Sequence, residues 1–153
     1  MIVIAVECYP DEALIKSLGF KARHFSGKGR VLKAIEKEKV LTGIVDFDED
    51  KSWPSKWVKD RKKLFGRVIV MKRKKARVIA LNPRLEDFIV WAAKASNMKL
   101  ESYCLPSDPR KLHKRISSKR RDEKYESLLR DLAREKPLVE LKKIIEELIE
   151  GLL

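Results

Sequence analysis

The chain has 153 residues, with 36 Lys and Arg against 23 Asp and Glu, a formal net charge of +13. That length suits one domain with a real core, and 44% apolar residues in periodic blocks exclude a disordered tail. No uncharged run approaches the roughly 20 apolar residues that span a bilayer, and residues 1–7 lack the basic region and cleavage site of a secretion signal. The expectation is a cytoplasmic protein without a membrane partner.

Residues 1–6 form an apolar run suited to a buried strand, and Pro10-Asp11-Glu12 opens a short helix that Gly19 ends. Residues 21–25 read as a second strand. Gly27-Lys28-Gly29 reads as a turn, and Val31, Leu32 and Ile35 as the inner face of a helix ending near Lys39. A third strand follows over 41–47. Trp53, Pro54, Trp57 and Leu64 predict a helix with proline in its first turn. Residues 67–71 and 76–81 read as a hairpin with the basic tip Lys72-Arg73-Lys74-Lys75. Asn82-Pro83 predicts a helix start with Asn82 as cap, and Asp108-Pro109 repeats that signal for a short basic helix. Two further helices end near 135 and 152. The second carries the apolar stripe Leu138, Leu141, Ile145, Leu148 and Leu152, a packing surface within the chain or between two chains of a homodimer.

Strand and helix alternate over the first 47 residues, so the predicted fold class is α/β: a mainly parallel sheet with helices on both faces, order 2-1-3-4 plus a hairpin strand. Residues 1–100 would form this core and 101–153 a helical extension packed on it. Cys8 and Cys104 fit neither a disulfide scaffold nor a metal-ligand spacing, and read as reduced thiols. A chain that is 39% charged, with no glutamine and only two asparagines, has a hyperthermophile's composition, in which a Cys8–Cys104 disulfide stays open.

The positive charge is segregated. Residues 51–77 hold twelve Lys and Arg against one acid, Asp60, a local net of +11, and residues 110–121 add seven with no acid. Those stretches carry +18, so the remainder sums to −5. A segregated basic surface attracts polyanions, nucleic acid (DNA or RNA) above all. Lys28, Arg30, Lys72, Arg73, Lys74 and Lys75 are the candidates to hold its backbone.

One segment reverses the sign: Asp46-Phe47-Asp48-Glu49-Asp50, after the apolar run 41–45. Alternate residues of an extended chain face the same way, about 6.5 to 7 Å apart, so Asp46, Asp48 and Asp50 can converge on one cation. Glu7 ends the first strand in the equivalent place. If strands one and three are neighbours, their carboxyl ends form the crevice where α/β sheets bind ligands, and Glu7 stands beside Asp46 and Asp48. An oxygen-seeking ion, Mg2+ or Mn2+, would relieve the repulsion, with Asp46, Asp48, Glu7 and Asp50 as ligands. The same acids also suit plain loop starts and helix caps.

Val6-Glu7 closing one strand, Ile44-Val45-Asp46-Phe47-Asp48 closing another, and a glycine-bearing turn between them resemble the Toprim domain, over about residues 1–82. Cys8 stands where that family usually has glycine. The resemblance implies Mg2+ held by Asp46 and Asp48, with Glu7 as general acid or base in breaking or making a phosphodiester bond. A PIN-like nuclease would use the same residue types. Three functions follow as expectations: a metal-dependent phosphodiester-processing enzyme, most simply a nuclease; a nucleic-acid-binding module without turnover; or an interaction protein assembling through its C-terminal helices. Ser26-Gly27-Lys28-Gly29-Arg30 offers helix N–H groups to a phosphate, or is a plain strand-to-helix turn. His24 is a structural or catalytic histidine, His113 faces solvent, and Glu86 or Asp87 suits the helix dipole or a fourth ligand position. Trp53 and Trp57 are candidates to stack on an unpaired base or to be buried.

Overall fold

The apolar run at the start of the chain becomes the second strand of a six-stranded sheet in a computed structural model that describes residues 2–48 and 53–151. In chain order the elements are β1 (Val3–Val6), α1 (Tyr9–Ser17), β2 (Lys21–His24), α2 (Lys28–Glu36), β3 (Thr42–Asp46), β4 (Val58–Lys63), β5 (Val68–Arg73) and β6 (Ala76–Leu81). Four helices follow, α3 (Leu85–Ala95), α4 (Pro109–Ser117), α5 (Glu123–Leu132) and α6 (Lys136–Ile149), with a 3-10 turn at Leu100–Tyr103. Among the described residues no helix is long and apolar enough to cross a membrane.

The sheet order is β2-β1-β3-β6-β5-β4. Strands β2, β1, β3 and β6 run parallel, whereas β5 and β4 are antiparallel to their neighbours. The sheet is therefore mixed rather than mainly parallel, and the order differs from 2-1-3-4. The hairpin docks through its second strand, β6, and not its first. The expected helix at 53–64 is also replaced: Trp57 is buried and Val58–Lys63 forms the edge strand β4. Backbone pairing with the outer edge of β5 takes this segment as a strand and overrides the spacing of the tryptophans. Five of the six residues after Trp57 are charged, and lysines on an edge strand discourage pairing with a second chain.

Alternation along the strands feeds two cores. Ile4, Val6, Ile44, Ile79 and Leu81 face a large cluster built by α1, α3, α4, α5 and α6. Ala5, Val45, Ala80 and Met71 face α2, Phe47 and Trp57. Helices thus cover both faces, and α6 spends its stripe inside the chain: Leu138, Leu141, Ile145 and Leu148 are buried in the larger cluster. Leu152 lies outside the described residues. Fully burying each such leucine contributes about 1.5–3 kcal/mol. Residues 101–151 therefore share one continuous core with the sheet.

Candidate active site

Strands β1 and β3 are parallel neighbours with Val6 beside Ile44, so the residues that follow them emerge together at the carboxyl end of the sheet. Glu7 and Asp46 meet there. Glu7 Oε1 accepts the backbone N–H of Asp46 at 3.2 Å. Asp46 Oδ1 accepts the N–H of Leu85 at 2.8 Å and so satisfies one of the orphan donors of α3. That bond replaces the predicted Asn82 cap: Arg84 holds the cap position, and Asn82 Nδ2 instead donates to the Gly66 carbonyl at 3.0 Å.

Two acids from helix starts complete the cluster. Asp11, in the first turn of α1, is fully buried. Its Oδ2 accepts the Cys8 thiol at 3.1 Å, and its Oδ1 meets no hydrogen-bond donor. Glu86, in the first turn of α3, is buried with Oε1 3.3 Å from His113 Nδ1 on α4. Tyr125 of α5 is buried beside this turn, its hydroxyl donating to the Pro10 carbonyl at 3.0 Å.

The electrostatics record this crowding. Burial first, then the charges of Glu86, Glu7 and Asp48, push Asp46 up to about 7 against the lowering effect of the Leu85 N–H. Burial and the Asp46 charge hold Asp11 well above the carboxylate range. Burial raises Glu86, with His113 opposing. Burial and Asp11 push the Cys8 thiol up, which favours the protonated thiol at neutral pH. Both cysteines are free, Cys8 half-buried and Cys104 exposed.

Asp48 does not join the cluster as expected. The strand ends at Asp46, and Asp48 adopts a left-handed conformation with φ 51°, which breaks the alternation that would have aimed it alongside Asp46. Its carboxylate lies 3.4 Å from Lys28 Nζ and 3.1 Å from Arg84 Nε, and its N–H donates to the Pro83 carbonyl at 2.9 Å. Asp50 lies outside the described residues.

Among the described residues no three of His, Cys, Asp and Glu stand close enough together to hold a metal ion. By donor type alone, the acids are of the kind an oxygen-seeking ion takes. Glu7, Asp11, Asp46 and Glu86 offer only oxygen, the preference of Mg2+ or Mn2+, and Asp11 Oδ1 is a buried acceptor with nothing to accept.

Comparison with protein-family models, with curated proteins and with solved structures gives no match. The residues themselves carry the functional argument.

The basic residues divide between the two ends of the sheet. Lys28 opens α2 at the crevice end, with Arg30 exposed one turn-step on. The tip Lys72, Arg73, Lys74 and Lys75 lies at the opposite end, because Arg73 pairs with Ala76 whereas Val68 pairs with Leu81 beside Asp46. Five residues of strand, about 16 Å, separate the tip from the acids. Lys63 and Arg67 stand at the acid end instead, since Lys63 pairs with Val68. The basic stretch 110–121 reaches that end too, through His113 on Glu86 and Arg120, whose guanidinium lies 5.9 Å from the Tyr9 ring centre.

Trp57 is buried, with Nε1 donating to Glu36 Oε1 at 2.7 Å, and Trp53 donates to the Phe47 carbonyl at 2.9 Å under Lys28. Both tryptophans therefore serve packing. His24 stacks on Tyr9, ring centres 5.0 Å apart and planes within 7°. In the sequence Asp11 carries no functional reading and Glu86 carries two, yet a signal is present. Asp11 falls in register with Leu14, Ile15 and Leu18, and Glu86 with Ile89 and Ala93, so each acid sits on the apolar stripe of its helix.

Proposed function

We propose that this chain is a metal-dependent phosphodiester-processing enzyme, most simply a nuclease acting on DNA or RNA, with its centre at Glu7 and Asp46. The observation that carries the reading is the buried, unpaired Asp11 oxygen within a cluster of carboxylates, in a chain whose net charge is +13. Such an arrangement is costly unless a cation is recruited to it. Glu7 and Asp46 are the principal candidates to hold Mg2+ or Mn2+, with Asp11 and Glu86 supplying further negative charge, and Asp48 acting through its ion pairs with Lys28 and Arg84. A divalent ion there would neutralise charge on a scissile phosphate and lower the pKa of a bound water. Glu7, half-buried at the strand end, is suited to take or give the proton. The cations Lys28 and Arg84 stand beside the acids through Asp48, and Lys63 lies at the same end of the sheet three strands across, a charge that draws in a phosphate backbone. The resemblance to the Toprim domain belongs to this same reading, in which a glutamate and an aspartate from adjacent parallel strands share one site.

A second reading has its own observation. Asp46 Oδ1 caps α3 and Asp48 is ion-paired, which are structural roles, and they favour a nucleic-acid-binding module without turnover. One experiment separates the two. Single-stranded and duplex DNA and RNA are incubated with the protein in Mg2+, Mn2+ or EDTA, beside Glu7→Gln and Asp46→Asn. The enzyme reading expects metal-dependent cutting that falls about 10²–10⁴-fold in Glu7→Gln. Salt-sensitive binding with no cutting in any metal overturns it in favour of the module.

A further inference from the structure

A groove of about 700 Å³ runs between α1 and α5, lined by Tyr9, Glu12, Lys16, Arg120, Arg121 and Arg130 among others. Its charge is positive: four cations face Glu12 and Glu126, which pair with Lys16 at 2.7 Å and with Arg121 at 2.8 Å. Among the described residues Arg120 and Arg130 have no acidic partner within ion-pair distance, so two cations remain to meet an external anion. At one end of the groove stands Tyr9, 38% exposed, stacked in parallel on the exposed His24. Arg120 lies over the Tyr9 ring.

The position of this pair matters. His24 is the last residue of β2 and lies in register with Val6, the residue before Glu7, while Tyr9 is two residues beyond Glu7. The aromatic pair thus stands on the same end of the sheet as the acids, one strand across, and the groove leads away from it. Exposed parallel rings beside cations that lack acids are the elements that hold unpaired nucleotides, where a base stacks on a ring and the backbone lies along positive charge. A duplex keeps its bases stacked on one another and offers no free face to such a ring.

We propose that Tyr9 and His24 form a stacking platform for an unpaired base, with Arg120 and Arg130 holding the adjoining phosphates, so that the substrate is single-stranded nucleic acid. This rests on the phosphodiester reading for its purpose but is tested apart from it. The base lies on the exposed outer face of His24, which Tyr9 backs from behind; Arg120 and Arg130 touch the backbone, and none of the four acts on the acids.

The test is binding in EDTA, where no cutting interferes, followed by fluorescence anisotropy of labelled oligonucleotides of about 12 residues. The probes are single-stranded DNA, single-stranded RNA and a blunt DNA duplex. Tyr9→Ala should weaken single-strand binding at least about tenfold, Tyr9→Phe should restore it, and duplex binding should change by less than about twofold. Arg120→Ala should reduce the slope of log affinity against log salt by about 0.7 for the single strand. Thermal melting of each variant shows whether it is folded; should Tyr9→Ala be unfolded, His24→Ala takes its place with the same expected loss. Single-strand affinity unchanged in the folded variant, an equal loss for duplex, or no single-strand binding by the wild-type chain overturns the proposal. Retained single-strand binding without metal-dependent cutting leaves the platform standing and removes the enzyme.

Discussion

A buried carboxylate oxygen that accepts no hydrogen bond costs the fold about 1–3 kcal/mol, and Asp11 carries that cost beside Glu7, Asp46 and Glu86. Asp46 shows what the crowding does with pH. Its carboxyl is raised to about 7 in the folded chain, chiefly by burial, so the native state holds the proton more tightly than the unfolded one. The stability from this group is therefore fully present below about pH 4 and is lost as pH rises through about 7, on the order of 2–4 kcal/mol. Asp46→Asn keeps an oxygen for the Leu85 N–H and removes the charge. In EDTA at pH 8 this variant should melt several degrees above the wild type, and at pH 4 the difference should vanish. Mg2+ or Mn2+ should raise the melting temperature of the wild type at pH 8 and leave Asp46→Asn where it was. A variant less stable than the wild type at pH 8 without metal would mean that the negative charge serves α3 as a cap and is not in excess. At this scale Glu7 and Asp46 were legible, because each follows an apolar run by one residue. Asp11 was harder to see, since an acid in a first helical turn is ordinary and only its register with Leu14 and Leu18 marks it.

The elements owe their positions to a few close approaches. A Cβ on Gly43 of β3 would lie 2.8 Å from Val31 Cγ1 and 2.9 Å from the Ala5 carbonyl, so glycine is what lets α2 press on β1 and β3. That packing also aims Lys28, at the start of α2, toward Asp48. Gly43→Ala should destabilise the chain by about 1–3 kcal/mol, read as a lower denaturation midpoint, and displace α2 enough to weaken the Lys28–Asp48 pair. An unchanged midpoint would show that α2 gives way freely. The alternating strands and helices of residues 2–46 follow their hydrophobic periods closely. The segment from Trp53 to Lys63 does not, because β4 is fixed by backbone pairing with β5, and its exposed, charged side chains carry no period of burial to read. The same reason makes the sheet mixed, since an antiparallel hairpin fills the places a doubly wound sheet would give to parallel strands.

Across the whole molecule the charge is organised by the two ends of the sheet. Two basic regions far apart in sequence, Lys63 with Arg67 and the stretch around His113 and Arg120, lie at the same end of the sheet as the acids, while Lys74 and Lys75 lie at the other end. Lys74→Ala with Lys75→Ala should leave the rate of metal-dependent cutting within about twofold of wild type. Lys63→Ala with Arg67→Ala should weaken nucleic-acid binding and flatten its salt dependence, each lost phosphate contact changing the slope by about 0.7 to 0.9. Equal effects from the two pairs would mean that the backbone is held along the full sheet and not at one end. The sequence by itself determined the α/β alternation, the segregation of charge and the meeting of Glu7 with Asp46, because hydrophobic period acts over a few residues and parallel neighbours bring their ends together. The tertiary structure alone decided that Asp48 turns to Lys28 and Arg84, that Asp11 and Glu86 close on Asp46, and which lysines share their end of the sheet. Burial and Coulomb energy depend on distances between residues remote in the chain, and those distances exist only once it has folded.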